Sequence, residues 1–275
     1  MRMKVAEAFL HHPDQVNYYD ALVSLMRENG YINFDHQFFQ YHYIDFPYRI
    51  HSFFLLTDKE KVVGHIAFRE NFISSCKAKS CWAMHALIDK NYRNLSNFVY
   101  LVRNAEHYLV SYGYDLILAM PNMSAADIYK RCLSWIDLGY VNFSLSSKVS
   151  RGATRDDRIF YFSKSTEWWN WRLKISKEPK LVCQAFSWKD IKVSQLLYVA
   201  PFYAEDLSDL DCLMEDKPIC TWDHSNYTNR SSWWSCRYMA RSLTSNLDKG
   251  ILDLNNWHVD MIDSDAFSCM QVEIA

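Results

Sequence analysis

The stretch that decides the fold is residues 81–129, which read CWAMHALIDKNYRNLSNFVYLVRNAEHYLVSYGYDLILAMPNMSAADIY. Its mostly apolar beginning predicts a strand over Cys81–Ile88. Apolar residues then recur at helical spacing over Leu95–Tyr112, and Gly113 follows as a stop signal. The apolar run Tyr114–Met120 predicts a second strand, buried on both faces. A strand, a helix and a strand in this order predict two parallel neighbours in one sheet.

The segments around this stretch predict further strands with helices packed against them. In chain order they predict a helix at Asp14–Asn29, a short helix within Phe34–Tyr48, a hairpin of Arg49–Thr57 and Lys61–Phe72, a helix at Ser124–Leu133, and a strand pair of Tyr140–Val149 and Arg158–Lys164. The expected fold class is therefore α/β (α+β), with one mixed sheet over Val5–Lys164 flanked by helices.

The C-terminal part has weaker patterns. Leu181–Trp188 favours a strand, Arg230–Leu247 favours a helix, and Glu167–Arg172 is rich in tryptophan. We find no repeat between the two parts. The sequence therefore predicts one domain over residues 1–165 and a C-terminal α/β region over residues 166–275.

Composition and charge restrict the function classes. The 275 residues include 30 basic and 32 acidic side chains, so the net charge of −2 gives no reason to expect a nucleic acid or a membrane surface as a partner. No apolar stretch approaches the ~20 residues needed to cross a bilayer, and no secretory signal follows Met1. Eight cysteines without a CxxC pair are expected to be reduced, buried thiols. We expect a cytoplasmic protein.

Several common catalytic and binding motifs are missing from the sequence. It contains no HExxH zinc motif, no G-x-S-x-G nucleophile elbow, and neither GxxxxGK[ST] nor GxGxxG. No metal is therefore expected. Hydrolysis through an activated serine and nucleotide binding through a glycine-rich loop are disfavoured on the same grounds.

Two short motifs carry a family resemblance. The spacing Asn-x-x-Ala-x-x-x-Tyr at Asn122, Ala125 and Tyr129 follows a buried strand, and Arg93 lies in the turn after the preceding strand. These two motifs, together with the predicted order of helices and strands, resemble the Gcn5-related N-acetyltransferase (GNAT) superfamily. The resemblance implies acetyl-CoA or coenzyme A as the cofactor. It also implies N-acyltransferase activity towards an amine of a small molecule, and strands that diverge at their C-terminal ends.

The resemblance also implies a cofactor site. In this family, free main-chain N–H groups of the splayed strand hold the pantetheine arm, and a helix N-terminus holds the pyrophosphate. Ser96 and Phe98 stand where the family has small, glycine-like residues, and Ser96 is expected to cap the helix. The implied cofactor-binding residues are Ala86, Leu87, Ile88, Arg93, Asn94, Ser96, Asn97, Asn122 and Tyr129.

The implied catalytic groups are an acid and a base. Tyr129 matches the family's tyrosine that protonates the departing thiolate. Three residues stay open as the base that deprotonates the acceptor: His85, Asp89 and Glu70. Strand alternation predicts that His85, Leu87 and Asp89 share one face, with Met84, Ala86 and Ile88 on the other.

A narrower resemblance concerns the acceptor. Ala119–Asn122 and the later Glu167–Arg172 resemble larger GNAT-type proteins of bacterial surface-polysaccharide and modified-sugar gene clusters. This implies an amino sugar, linked to a nucleotide, as the acceptor. The tryptophans of residues 168–171 would serve either as apolar packing between domains or as a platform for a sugar ring.

Other functions stay open. The absent turn glycines are compatible with a non-catalytic binding protein on a GNAT scaffold. The residues after Ser165 are compatible with an aminoacyl-transferring relative of two GNAT-like halves, although the near-neutral charge disfavours its tRNA substrate. Residues 1–165 would be the acyl-CoA-binding domain, and residues 166–275 a substrate-binding region or a degenerate GNAT-like half. The sequence leaves the oligomeric state open.

Overall fold

We describe the protein from a computed structural model, which covers residues 3–8, 16–31, 34–74, 76–146, 160–163, 165–173, 180–182, 185–187, 198–199, 219–223 and 235–258. Its α-helices are α1 (Val16–Glu28), α2 (His36–Phe39), α3 (Leu95–Ser111), α4 (Met123–Cys132) and α5 (Thr166–Leu173). A π-helix, Gln40–Ile44, continues α2, and 3-10 turns lie at Lys249–Leu252 and Leu254–Asn256. The helices predicted at Asp14–Asn29, within Phe34–Tyr48, at Leu95–Tyr112 and at Ser124–Leu133 are confirmed.

The strands follow the predicted hairpin and crossover. They are β1 (Lys4–Ala8), β2 (Ile50–Leu56), β3 (Val62–Ile73), β4 (Lys79–Ile88), β5 (Leu116–Ala119), β6 (Ile136–Ser146), β7 (Phe160–Ser163), β8 (Lys180–Val182), β9 (Ala185–Ser187), β10 (Tyr198–Val199), β11 (Ile219–Asp223), β12 (Ser235–Ser242) and β13 (Trp257–His258). The segment between the predicted strands Tyr140–Val149 and Arg158–Lys164 lies outside the described residues.

The main sheet is mixed. Its strand order is β1-β2-β3-β4-β5-β12-β6-β11-β10, and β7 pairs with β3 and β13 beside this path. Neighbours are antiparallel except β4 with β5, β10 with β11, and β7 with β13. The predicted fold class and the predicted parallel pairing of β4 with β5 are confirmed.

Two apolar cores lie on opposite faces of this sheet. Alternate residues of β2 face them: Phe54 and Leu56 pack with α1, and Phe53 and Leu55 pack with α3. We call these the α1 face and the α3 face. Helix α4 packs on the α3 face, whereas α5 packs on the α1 face.

Two predictions about strands were wrong. Arg230–Leu247 was expected to be helical, but its described part contains β12, which lies antiparallel between β5 and β6. The buried run Tyr238–Ala240 fits a central strand with both faces covered. The second error is the pairing of β6 with β7: β12 and β11 flank β6, and β7 lies against β3.

The described free thiols are Cys76, Cys81, Cys132 and Cys236, of which only Cys81 is buried. The other three are half-buried, so the prediction of buried thiols holds for Cys81 alone. None of the helices in the described part of the chain is long and apolar enough to span a membrane.

Candidate active site

The candidate site begins where β4 and β5 separate. The two strands pair only at Ser80 with Leu116, Cys81 with Ile117 and Trp82 with Leu118. Strand β4 continues to Ile88, still paired on its other side with β3. We call Lys79–Trp82 the closed end of β4 and Ala83–Ile88 its open end. The open end therefore has backbone groups directed away from β3 that β5 does not engage.

A β-bulge lies in the open end. His65 of β3 pairs with Leu87, and Ala67 pairs with Met84, so two residues of β4 oppose the one residue between His65 and Ala67. His85 in this bulge has a φ of +51°, in the left-handed region that is uncommon for a residue other than glycine. Such bulges re-aim side chains and backbone groups next to active sites.

The bulge overturns the predicted alternation along β4. Met84 and Leu87 pack together on the α1 face, whereas Ala86 and Ile88 face α3. Met84 was expected to share a face with Ala86 and Ile88. The inserted residue shifts the side-chain period by one position, which explains the error.

Helix α3 begins beside the end of β4. Asn94, not Ser96, is its N-cap, and the Asn94 side chain accepts a hydrogen bond from the Asn97 N–H at 2.8 Å. No described residue accepts from the N–H groups of Leu95 and Ser96. Two unsatisfied N–H groups at the start of a 17-residue helix suit an anion such as a phosphate.

Arg93 lies in the turn before this helix and is exposed. Its Nε donates to the Ile88 carbonyl at 3.2 Å, and its Nη2 donates to Asn29 Oδ1 at 3.3 Å. These bonds hold a positive charge between the end of β4 and the start of α3.

Helix α4 lies over the separation on the α3 face. Asn122 is its N-cap and accepts from the Ala125 N–H at 2.9 Å. Tyr129 is buried, and its ring packs against Phe98 and Trp135 at centroid distances of 5.6 and 4.4 Å. Burial, with the charge of Glu106 as a smaller cause, raises the pKa of Tyr129, so the phenol keeps its proton.

The side chain of His85 lies on the α1 face, among aromatic rings. Its ring centroid is 5.7 Å from that of Phe34, 5.5 Å from Phe38 and 5.4 Å from His42. The Tyr43 hydroxyl lies 2.7 Å from His85 Nδ1. The half-buried imidazole therefore stands at the bulge, across the sheet from α3 and α4.

Comparison with solved structures identifies the fold. A probable N-acyltransferase from Enterococcus faecalis V583 matches with a TM-score of 0.60 and 10% identity, over 88% of this chain and 73% of that one. Eis1 from Mycobacterium abscessus matches with a TM-score of 0.56 and 9% identity, over 87% and 74%. A GCN5-related N-acetyltransferase from Kribbella flavida matches with a TM-score of 0.55 and 10% identity, over 88% of this chain and 72% of that one. The chain has the GNAT fold.

No protein-family model and no curated protein matches the chain. At identities near 10%, the structural likeness establishes the GNAT fold alone, and any activity has to be argued from the site.

The other two candidate bases, Asp89 and Glu70, lie at different places along the sheet. Asp89 is buried after the open end, where its Oδ1 accepts from the Asn91 N–H at 2.8 Å and so closes the turn before α3. Glu70 pairs with Cys81, at the closed end of β4. The structure therefore places Asp89 in the turn before α3 and leaves Glu70 at the far end of the strand from His85.

Glu70 belongs to a polar network at the closed end. Its Oε1 accepts from the Tyr114 hydroxyl at 3.2 Å, and that hydroxyl is 3.1 Å from His51 Nε2. His51 Nδ1 donates to Glu7 Oε1 at 2.7 Å, and the Tyr112 hydroxyl donates to Glu7 Oε2 at 2.5 Å. These contacts satisfy buried polar groups and account for Glu70 without catalysis.

Sequence reasoning missed Tyr43 and His65, which hold His85 from two sides. Their proximity arises from tertiary packing, and no spacing in the sequence indicates it. The bulge did have a signal: the apolar α1-face residues Trp82, Met84 and Leu87 are spaced by two and then by three. Within the described residues, no group of three or more His, Cys, Asp or Glu side chains could hold a metal ion.

Proposed function

We propose that this protein is an N-acyltransferase that uses acyl-CoA, most simply acetyl-CoA, to acylate an amine of a small molecule. The observation that supports this best is the open end of β4, where a bulged, half-paired strand meets the start of α3. A substrate amine would approach from the α1 face, and the cofactor from the α3 face.

Residues of the open end and the following turn fit the cofactor. The N–H groups of Ala86, Leu87 and Ile88 are candidates to hold an extended amide-bearing arm. The N–H groups of Leu95 and Ser96, with the Arg93 guanidinium, suit the phosphates. The bound cofactor supplies an acyl group activated as a thioester.

Two side chains of the chain would move protons. His85 takes a proton from the attacking amine at its Nε2 while the new N–C bond forms. The Tyr129 hydroxyl donates a proton to the departing sulfur as the C–S bond breaks. The remaining barrier is lowered by positioning the two reactants, since no covalent nucleophile is required.

A cavity on the α1 face supports an acceptor that contains a ring. It is a shallow depression open to solvent, lined by residues that include Tyr48, Trp82 and Trp168. Arg69 also lines it, and its guanidinium lies 4.9 Å from the Phe46 ring. The aromatic faces suit the ring of an amino sugar, and we propose a nucleotide-linked amino sugar as the acceptor.

We assign residues 1–165 to an acyl-CoA-binding domain and residues 166–275 to a C-terminal α/β region. This region would bind the substrate or be a degenerate second GNAT-like half. Strand β12 of this region lies next to β5, so the C-terminal region also completes the sheet at the cofactor site. We place the activity in the cytoplasm.

One observation favours a second candidate, a non-catalytic binding protein. The Asn97 N–H is already bonded to the Asn94 side chain, and Phe98 follows where the family has a small residue. Both features reduce the room and the number of donors for a pyrophosphate.

Calorimetry with acetyl-CoA tests the cofactor site. Arg93→Ala should weaken binding by about 1–3 kcal/mol, the range for a hydrogen bond to a charged group. Arg103→Ala is the matched control, because Arg103 is an exposed arginine of α3 that donates to the Cys132 carbonyl at 3.1 Å. Equal affinities of both variants would remove Arg93 from the site, and no binding by the wild type would eliminate the transferase.

Thiol release across a panel of amines, amino sugars and nucleotide-linked amino sugars tests the reaction. Transfer to at least one amine is expected, with a preference for acceptors that contain a sugar ring and phosphates. Binding of acetyl-CoA without transfer to any member of a broad panel would favour the non-catalytic protein.

A further inference from the structure

Two residues that have no role in the reaction proposed above, Tyr43 and His65, contact His85. Tyr43 lies in the π-helix Gln40–Ile44, and its hydroxyl is 2.7 Å from His85 Nδ1. His65 lies on β3, and its Nδ1 is 3.1 Å from the carbonyl oxygen of His85. Both Tyr43 and His65 are fully buried. One contact therefore fixes the imidazole, and the other fixes the backbone that carries it.

The proton on His65 follows from its partner. A carbonyl oxygen only accepts, so His65 Nδ1 must carry a hydrogen and donate it. His65 Nε2 is buried and has no hydrogen-bond partner in the described part of the chain. Burial lowers the pKa of His65 to about 3, so the ring stays neutral and its bond to the bulge persists at ordinary pH.

We infer that Tyr43 and His65 are positioning residues for proton transfer at His85. In the inferred arrangement, His85 Nδ1–H donates to the Tyr43 oxygen at 2.7 Å, and Nε2 carries the lone pair that takes the proton. His65 keeps the bulge in the conformation that places this ring at the open end of β4. The inference rests on the proposed acyltransferase function.

Backbone geometry explains why two supports are needed. A residue other than glycine is unfavourable at positive φ, so the surrounding structure has to maintain it. The hydrogen bond from His65 reaches the His85 carbonyl and opposes a return to regular strand geometry. The π-helix that presents Tyr43 is itself a rare element, frequent at functional sites.

Titratable groups of neighbouring elements pack against His85. Tyr43 and His42 come from the π-helix, and His65 comes from β3. The Tyr43 oxygen stabilises the imidazolium that forms when His85 Nε2 takes a proton. Without that oxygen, the imidazolium is less stable, and His85 stays unprotonated down to a lower pH.

Tyr43→Phe tests the contact to the ring. We expect kcat to fall about 10- to 100-fold, the range for a hydrogen bond to a charged group. The acid limb of the kcat–pH profile should move to lower pH, and the KM for acetyl-CoA should not change. Tyr108→Phe is the control on an exposed tyrosine of α3. A wild-type kcat with an unmoved acid limb would overturn the role of Tyr43.

His65→Leu and His65→Asn test the contact to the backbone. Leucine has no donor, so kcat should fall about tenfold while the acid limb stays in place. Asparagine has an amide N–H close to the position of His Nδ1 and should restore most of the activity. If both variants have wild-type activity, or if the asparagine variant is no better than the leucine variant, His65 does not position the bulge.

Nitrogen NMR of the histidine-labelled protein separates this inference from the proposed function. The neutral His85 and His65 rings should each have their hydrogen on Nδ1, with assignments from the His85→Gln and His65→Leu variants. Transfer activity together with an Nε2–H tautomer at His85 would overturn the inference alone. Both expected tautomers in a protein that transfers nothing would overturn the proposed function.

Discussion

The closed end of β4 is paired on both sides, whereas its open end is paired with β3 only. At the closed end a network from Glu7 to Glu70 gives each buried polar side chain a partner. At the open end His85 has a left-handed backbone, and His65 Nε2 is buried with no described partner. Both conditions are unfavourable for folding.

The difference indicates a division of labour along a single strand. Complete pairing and satisfied polar groups stabilise the sheet at the closed end. Unpaired backbone groups, a bulge and buried imidazoles are the features that a ligand or a reaction uses. We therefore expect substitutions in the closed-end network from Glu7 to Glu70 to change stability, and those at the open end to change activity.

The sharpest test of this division replaces two buried tyrosines in the same way. Tyr129→Phe, over the open end, should lower kcat by roughly 10²–10⁴-fold, the contribution of a general acid, with little change in acetyl-CoA affinity. Tyr114→Phe, at the closed end, should keep its kcat but lose about 1–3 kcal/mol of stability, because Glu70 and His51 lose a buried partner.

Steady-state kinetics and urea unfolding measure both variants. The phenylalanines keep the rings, so packing is preserved in each case. The division of labour is wrong if Tyr114→Phe reduces kcat as strongly as Tyr129→Phe does.

The accuracy with which the sequence predicts helices and strands also differs between regions of the molecule. The helix Leu95–Ser111 and the strands beside it were predicted because their apolar spacing is set by local burial. Strand β12 was expected to be helical. Its position between β5 and β6 depends instead on pairing with residues that lie 93 to 126 positions earlier in the chain. Such pairing overrides local preference and leaves little trace in one sequence.

The site shows the same limit. The helix that follows Asn122 was predicted, since helical patterns and N-caps depend on residues three or four positions apart. The bulge at His85 was not predicted, because it is defined by the register with β3. Glu70 looked like a candidate base in the sequence, and only its contacts with Tyr114 show that it lies at the closed end.

Acid stability should distinguish the buried histidines His65 and His51. His65 has a folded-state pKa of about 3, below the ordinary value of 6.5, so between these values the unfolded chain binds a proton that the folded chain does not. Stability is therefore lost as the pH falls from about 6.5 towards 3, by up to about 1.36 kcal/mol per pH unit from this group. His51, at the closed end, has a carboxylate partner in Glu7 instead.

Urea unfolding at a series of pH values gives the measurement. His65→Leu should flatten the loss of stability between pH 6.5 and 4, because the group that titrates on unfolding is gone. His107→Gln, at an exposed position of α3, is the control and should follow the wild type. An unchanged slope in His65→Leu would mean that His65 is not a buried neutral imidazole in the folded protein.

The smallest expected effect is the difference in stability between glycine and alanine variants, which should have opposite signs at the two ends of β4. At position 85, glycine should give a more stable protein than alanine by about 1 kcal/mol, because alanine at positive φ is disfavoured by about 1–2 kcal/mol. At position 81, in the regular part of the same strand, alanine should be more stable than glycine by roughly 0.5–1 kcal/mol. Both substitutions at a given position remove the native side chain, so the lost His85 or Cys81 contacts cancel in each comparison. Urea unfolding of the four variants measures the two differences. If alanine were the more stable residue at both positions, the open end would have ordinary strand geometry, and the contrast between the two ends would no longer include backbone strain.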